Sequence, residues 1–209
     1  MTRAKDFFND AEKERIEAAV QAAEARTSGE IVPMVVDDSY DYPRAEILGA
    51  GLFSLATATS LSWAFFGESL WHFLWLFAAA FFPFKLLIRN LPALKRRLIN
   101  PAEIAAEVEE KALVSFLERD LHHTRDATGI LILISLFERR VYVLADRGIN
   151  ETVPAHTWEE IVHIVTRGIH QGRTCEALCA AVARCGELLE KNFPVKKDDT
   201  NELPNLIVE

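Results

Sequence analysis

Cysteine is scarce in this chain, with three among 209 residues, and all three fall in one short stretch. Cys175, Cys179 and Cys185 are odd in number and lack the separated spacing of a disulfide framework. Their positions follow the apolar stripe of a predicted helix, so we expect small core residues rather than metal ligands. The scarcity excludes a disulfide-stabilised secreted scaffold and favours a reducing compartment.

Two catalytic motifs are missing, since the sequence contains neither a phosphate-cradling glycine-rich loop nor a nucleophile elbow.

Positive charge is also in the minority, with 23 Lys and Arg against 31 Asp and Glu, for a net charge of -8. The basic residues gather beside a long apolar stretch, so the acidic surplus belongs to the rest of the chain. This asymmetry argues against nucleic acid as a partner.

Charge is almost absent from residues 47–88, where Glu68 and Lys85 are the only charged side chains. Each half of this stretch supplies about 20 uncharged residues, and a helix of that length spans about 30 Å, the thickness of a bilayer's hydrocarbon core. The sequence therefore predicts two transmembrane helices, 46–67 and 69–90, joined by a tight turn at Glu68.

Three alternatives to a transmembrane hairpin exist for such a stretch. The stretch lies too far from Met1, and behind too much charged sequence, for a cleaved signal peptide. Two consecutive apolar runs without a polar face exceed what a chain of this size normally buries as core helices. A re-entrant or in-plane hairpin stays open because the turn is so short.

The flanks of the apolar stretch predict its orientation. Trp63, Trp71 and Trp75 bracket the turn, as expected at the headgroup level. The opposite end is basic, with Arg44, Lys85, Arg89, Lys95, Arg96 and Arg97. Because cytoplasmic flanks carry the excess of Lys and Arg, we expect both termini in the cytoplasm, the hairpin in the plasma (inner) membrane, and a short basic helix at 92–99 on the anionic leaflet.

Residues 1–45 and 91–209 together have the size of one ordinary domain. Hydrophobic periodicity and breaker residues predict its elements. They are a helix at 10–26, a strand at 30–36, a helix at 101–122, strands at 129–135 and 140–145, helices at 155–170 and 174–192, and a polar tail. The strands at 129–135 and 140–145 are expected to form an antiparallel hairpin.

The strand at 30–36 precedes the apolar stretch and cannot satisfy its backbone hydrogen bonds alone. It must join the strands that follow the stretch, which places the two parts of the domain on one side of the membrane. A helix lies between the first two strands, so we expect them to be parallel. The predicted fold class is α/β, with a small mixed sheet and helices on its faces.

Three segments carry a family resemblance. Thr27-Ser28-Gly29-Glu30 before the first strand, Thr128-Gly129-Ile130 at the second, and Ala145-Asp146-Arg147-Gly148-Ile149 leading to Glu151 resemble the TPM domain in that order. The closing helices and Asn201-Glu202-Leu203-Pro204 are similar to a bacterial branch of that family with a membrane hairpin after the first strand, and the resemblance spans nearly the whole soluble part. The resemblance implies a three-layer α/β/α domain and, for some members, phosphatase activity or calcium binding.

The expected topology brings polar side chains to one edge of the sheet. The starts of strands one and two and the end of strand three would meet there, with Ser28, Glu30, Asp126, Thr128, Asp146 and Glu151. Carboxylate oxygens suit a hard cation, so Glu30, Asp126, Asp146 and Glu151 are the predicted metal ligands, with Ca²⁺ as the possible ion. The alternative is a set of solvated loop charges and turn formers.

Two functional hypotheses follow. The favoured one is a membrane-anchored, non-catalytic module that binds, assembles or maintains other membrane proteins, with the lipid bilayer and those proteins as partners. The alternative is a phosphatase that depends on Ca²⁺ or Mg²⁺.

Overall fold

The computed structural model describes residues 3–67, 69–124, 127–154, 156–195 and 203–209. The chain divides into two compact units, a hairpin unit at Tyr40–Ala105 and a sheet unit formed by Thr2–Ser39 and Ala106–Glu209. Glu68, the predicted turn, and Ala155, the predicted first residue of a helix, lie outside the described residues.

Eight helices and four strands are described along the chain. In order they are α1 (Asp10–Glu24), β1 (Glu30–Val36), α2 (Pro43–Leu61), α3 (Leu70–Asn90), α4 (Pro92–Leu98), α5 (Pro101–Glu118), β2 (Gly129–Ser135), β3 (Arg140–Ala145), α6 (Arg147–Asn150), α7 (His156–His170), α8 (Thr174–Asn192) and β4 (Ile207–Val208). A π-helical segment, Ser62–Phe66, extends α2, and a 3-10 turn, Leu121–His123, follows α5.

The sheet unit contains a mixed sheet with the strand order β3-β2-β1-β4. β1 and β2 are parallel over their whole length, from the pair Glu30 and Gly129 to the pair Val36 and Ser135. β2 and β3 are antiparallel. Both pairings confirm the expectation from sequence, and they make the strands before and after the hairpin unit direct neighbours.

Helices cover both faces of this sheet. One core contains buried residues of α1, α7 and α8 with Ile31, Val35 and Ile132 from the sheet. A second core contains Val32, Leu131 and the buried face of α5. Because both faces are covered, every residue of β1 and β2 is buried, which explains why these strands read as continuous apolar runs.

Local signals account for the helix limits. Asn9 and Glu12 form a reciprocal capping box at the start of α1, with both hydrogen bonds at 2.9 Å. α5 ends at Glu118, earlier than the predicted residue 122, because Asp120 adopts a left-handed conformation with φ 58°. That residue turns the chain into the 3-10 turn.

β4 is the strand that sequence reasoning missed. Ile207 and Val208 pair in parallel with Met34 and Val35 of β1, inside what was predicted to be a polar tail. The backbone N–H of Glu209 then donates to the carbonyl of Val35 at 3.0 Å. A two-residue strand is too short to show an alternating pattern, so periodicity has nothing to detect.

The hairpin unit packs α2 against α3 through small residues. Gly49, Ala50, Ser54 and Ala58 of α2 are buried, and a Cβ on Gly49 would lie 2.8 Å from Cδ1 of Ile88. Lys95 of α4 and Glu46 of α2 form an ion pair at 2.7 Å. Large apolar side chains cover the outside of the unit, with Trp63 86% exposed and Trp75 74% exposed.

Two helical segments, Pro43–Phe66 and Leu70–Asn90, are long and apolar enough to cross a membrane. This confirms the two long apolar helices expected from the sequence.

Candidate functional site

The register of the sheet brings three chain segments to one edge, here called the β2-start edge. Glu30 opens β1 opposite Gly129, which opens β2, and Ile130 pairs with Ala145 at the end of β3. The backbone N–H of Asp146 donates to the carbonyl of Gly129 at 2.9 Å. The predicted convergence of the starts of β1 and β2 with the end of β3 is therefore present.

Hydroxyl groups and backbone atoms link the first two segments. The backbone N–H of Glu30 donates to the carbonyl of Thr128 at 3.2 Å, and Oγ1 of Thr128 donates to the carbonyl of Ser28 at 3.1 Å. Thr128 is fully buried, and its own N–H donates to Oγ1 of Thr124 at 2.9 Å. Oγ of Ser28 is out of contact with solvent and has no hydrogen-bond partner among the described residues.

Glu30 is a buried carboxylate at this edge, with 7% of its surface exposed. Burying a carboxylate costs free energy unless it is paired or hydrogen-bonded, and a solvated loop carboxylate does not have this cost. Among the three predicted metal ligands that the structure describes, Glu30 is the one whose burial sets it apart from the solvated-loop alternative.

Asp146 and Glu151 flank α6 at its start and at its end. Asp146 caps that helix, with Oδ1 accepting from the N–H of Arg147 at 2.6 Å, whereas its Oδ2 is buried without a hydrogen-bond partner among the described residues. Glu151 accepts from Nε of Arg147 at 2.7 Å on the surface. That hydrogen bond, together with the charge of Glu151, raises the pKa of Arg147.

These partners fit a cation only in part. Ca²⁺ takes six to eight oxygen ligands, and the orphaned Oδ2 of Asp146 is one oxygen suited to that role. The oxygen of Glu151 that faces Arg147 already has a positively charged partner, the guanidinium group of that arginine. Asp126 lies outside the described residues, so the four-residue site of Glu30, Asp126, Asp146 and Glu151 stays a prediction.

A different trio of metal-ligating groups lies beside the start of β2. Asp120, His122 and His123 each offer one ligand atom, and these atoms lie within 4.8 Å of one another. The turn that carries them packs closely on β2. A Cβ added at Gly129 would lie only 2.5 Å from the carbonyl oxygen of Leu121. Sequence reasoning missed this trio, because the pattern Asp-x-His-His after a long helix does not by itself indicate a shared ligand.

The three cysteines lie where the apolar stripe of α8 predicted them. Cys175 and Cys185 are buried, Cys179 is half-buried, and all three are free thiols. Burial raises the pKa of Cys185 to about 12. The pKa of Cys175 is raised to about 11, first by burial and then by the neighbouring Cys179. Protonated, buried thiols are poor nucleophiles, which agrees with a packing role.

Taken together, the elements define an α/β domain with a four-stranded mixed sheet, interrupted after its first strand by a pair of apolar helices. A family model of the TPM domain matches residues 97–188. This match confirms the resemblance at Thr128-Gly129-Ile130 and at Ala145-Asp146-Arg147-Gly148-Ile149, which lie inside the matched residues.

One solved structure shares the fold. The NMR structure of the BA42 protein from the psychrophilic bacterium Bizionia argentinensis superposes with a TM-score of 0.61, covering 100% of this chain and 99% of that chain at 21% sequence identity. At this identity the likeness concerns the fold alone. A comparison with curated proteins finds no match.

Proposed function

We propose that the chain is a TPM domain protein anchored in a membrane by α2 and α3, and that its sheet unit is a non-catalytic binding module for other membrane proteins. In this proposal the module assists their assembly or maintenance. The hairpin lies in a bacterial inner membrane, with the sheet unit and both termini in the cytoplasm.

The observation that carries the anchor is the exposed apolar surface of the hairpin unit. Leu48, Leu52, Trp71 and Phe82 are each between 65% and 73% exposed, and within the described residues α3 buries little more than Ile88. Water contact with apolar surface costs about 25 cal/mol per Å², so a helix pair with this exterior is unfavourable in water. A bilayer removes that cost.

The position of the hairpin in the sheet supports an even number of crossings. β1 ends at Val36 before the hairpin, and β2 begins at Gly129 after it, yet the two strands pair directly. A single crossing would separate them. A hairpin that crosses twice, or a re-entrant hairpin that does not cross, keeps both strands on one side.

Charge at the base of the hairpin supports the cytoplasmic side. Lys95 pairs with Glu46 at 2.7 Å, and Arg44, Arg89 and Arg97 add positive charge next to the two helices in the sequence. An excess of Lys and Arg next to membrane spans favours retention on the cytoplasmic side.

The binding role is supported by an apolar patch on the sheet unit. Leu113 and Leu117, one turn apart on α5, are 50% and 49% exposed, and Val114 between them is 40% exposed. The opposite face of α5 carries Ala112 and Phe116, which are buried in the core. Adjacent exposed aliphatic side chains are a surface that a protein partner can cover.

Cysteine accessibility tests the anchor and its topology. In a chain whose three native cysteines are changed to Ala, Ser69→Cys should react with a membrane-impermeant thiol reagent added to intact cells, whereas Glu110→Cys should react only after the cells are opened. Labelling of neither residue from outside would indicate a re-entrant hairpin. Labelling of Glu110→Cys from outside would overturn the cytoplasmic assignment.

Site-specific photo-crosslinking tests the binding role. A photoreactive amino acid at Leu113 or Leu117 should capture an integral membrane protein in intact cells, and the same probe at His163, exposed on α7, should not. Equal capture at the three positions, or capture of lipid alone, would contradict a docking role for α5.

A metal-dependent phosphatase is the alternative, and the orphaned Oδ2 of Asp146 at the β2-start edge is the observation that favours it. The full chain in detergent should show no turnover of phosphate esters with Ca²⁺ or Mg²⁺ if it is a binding module. Turnover that Asp146→Ala abolishes, and that Asp10→Ala at the exposed start of α1 leaves unchanged, would replace the binding module with the enzyme.

A further inference from the structure

We propose that Asp120, His122 and His123 form a binding site for a borderline divalent transition metal ion such as Zn²⁺. The site extends the proposed function and does not depend on it. It uses none of the residues Glu30, Asp126, Asp146 and Glu151 predicted for Ca²⁺.

The three side chains already converge. Nδ1 of His123 lies 3.1 Å from Oδ1 of Asp120, and the rings of His122 and His123 have centroids 3.8 Å apart at an angle of 39°. Ligand atoms bound to one tetrahedral zinc ion at about 2.0–2.1 Å are roughly 3.3 Å from one another. One ligand atom from each side chain lies within 4.8 Å of the others, so side-chain rotations suffice to close the site.

The environment of His122 independently favours a metal ion at this site. Its Nδ1 is out of contact with solvent and has no hydrogen-bond partner among the described residues. A buried polar nitrogen left without a partner costs about 1–3 kcal/mol. Coordination of a metal by this nitrogen removes that cost.

The backbone holds the trio in place. Asp120 is fixed at the end of α5 in the left-handed conformation, and the N–H of His123 donates to its carbonyl at 2.9 Å. Leu121, between the ligands, is fully buried in the core below α5, and its carbonyl abuts Gly129. An anchored residue inside the turn limits how far the ligands can move, as a preorganised site requires.

The ligand chemistry selects the class of metal. Two imidazole nitrogens and one carboxylate suit Zn²⁺ and its transition-metal neighbours, whereas Ca²⁺ and Mg²⁺ prefer oxygen ligands alone. Three protein ligands leave a tetrahedral ion with one open position. Because the side chains of Asp120 and His123 are each 70% exposed, water reaches that position.

Titration calorimetry with the full chain in detergent, free of any affinity tag, tests the site. We expect one Zn²⁺ per chain and no competition from a large excess of Ca²⁺. His123→Gln and Asp120→Asn should each weaken binding about tenfold or more, since a lost ligand costs at least as much as a lost supporting contact. Asn suits Asp120 because it also tolerates the left-handed conformation.

Two controls separate this site from other zinc ligands on the chain. His163→Gln removes an exposed histidine of α7 and should leave the affinity unchanged. The double variant Cys175→Ala and Cys179→Ala removes the neighbouring thiols of α8 and should also leave it unchanged. Co²⁺ bound in place of Zn²⁺ should show a visible spectrum of tetrahedral nitrogen and oxygen ligation without a thiolate charge-transfer band.

Unchanged affinity in both His123→Gln and Asp120→Asn would overturn the proposal, as would binding that depends on the cysteines. Both substituted side chains are exposed, so the variants should fold, and unfolding curves that match the parent chain would establish that they do. Retained zinc binding with normal unfolding would therefore count directly against the site.

Discussion

The backbone N–H of Ser39 donates a hydrogen bond of 3.0 Å to Oε1 of Glu138, a carboxylate that is only 4% exposed. Oε2 of Glu138 accepts a short hydrogen bond from Oγ of Ser135, which lies 3.0 Å from Oγ of Ser39. Ser39 is the last residue of the sheet unit before the hairpin unit. The buried carboxylate therefore ties the point where the chain leaves β1 to the turn between β2 and β3.

Glu138→Ala should destabilise the sheet unit by about 1–3 kcal/mol, because it leaves the N–H of Ser39 and the hydroxyl of Ser135 without their acceptor in a buried place. Calorimetric unfolding of the full chain in detergent measures the change. Glu187→Ala is the matched control, since that carboxylate pairs with Arg184 on the surface and is 58% exposed. Its loss should cost less than about 1 kcal/mol, and equal losses in the two variants would contradict a structural role for Glu138.

The short strand β4 should contribute to the stability of the sheet unit despite its length. Deleting residues 206–209 removes the pairing with Met34 and Val35 and exposes that edge of β1. We expect a lower unfolding temperature and a greater tendency to aggregate, because an unpaired edge offers free N–H and C=O groups to other chains.

A point substitution distinguishes the contribution of the strand to stability from that of the charged side chain of Glu209. The side chain of Glu209 pairs with Arg119 and lies 3.6 Å from Lys111. Glu209→Gln removes these ion pairs and keeps the strand, so it should cost less than about 1 kcal/mol. If the substitution were as damaging as the deletion, the charges rather than the strand would hold the C-terminal segment.

Much of the fold was predictable because its elements leave local signals. The buried runs at Glu30–Val36 and Gly129–Ser135 have apolar residues on both faces of the strand, and the structure covers both faces. The parallel pairing followed from backbone hydrogen-bond requirements and the intervening helices. The two-residue β4 and the four-residue α6 were too short to leave such a signal.

The Asp120, His122 and His123 trio was less accessible to prediction. Neighbours in sequence such as His122 and His123 point in different directions in a regular helix or strand, so their spacing alone does not indicate a shared ligand. The left-handed residue at Asp120 and the tight turn after it bring the rings side by side. That conformation depends on the fit of Leu121 against Gly129, which is a tertiary contact.

Gly129→Ala tests this fit. A Cβ there would lie 2.5 Å from the carbonyl oxygen of Leu121, and backbone atoms cannot move aside as a flexible side chain can. We expect a loss of stability of about 1–3 kcal/mol from overpacking, with a shifted turn and weaker zinc binding at the proposed site. Unfolding calorimetry and zinc titration measure the two effects.

Gly51→Ala in α2 is the control for Gly129→Ala, because a Cβ at Gly51 meets nothing within 4 Å. It should leave the stability of the sheet unit and the zinc affinity unchanged. A Gly129→Ala variant that behaves like this control would show that the turn does not depend on the close approach to β2.

The buried thiols of α8 should make folding sensitive to alkaline pH. Burial raises the pKa of Cys185 from 9.0 to about 12, so the folded chain holds this proton more tightly than the unfolded chain. Its stabilising contribution is complete below about pH 9 and is lost as the pH rises toward 12. Over that range the free energy of unfolding should fall by up to about 1.4 kcal/mol per pH unit for one thiol.

Cys185→Ala isolates this effect from the other groups that titrate at high pH. The variant is expected to be less stable at pH 8 because a buried atom is lost, yet its stability should fall less steeply than that of the parent chain between pH 9 and 11. Ala181→Gly, at another buried position of α8, lowers stability without removing a titrating group, so its slope should match the parent chain. Parallel slopes for the parent chain and Cys185→Ala would mean that the thiol ionises equally in the folded and unfolded chains, contrary to its burial.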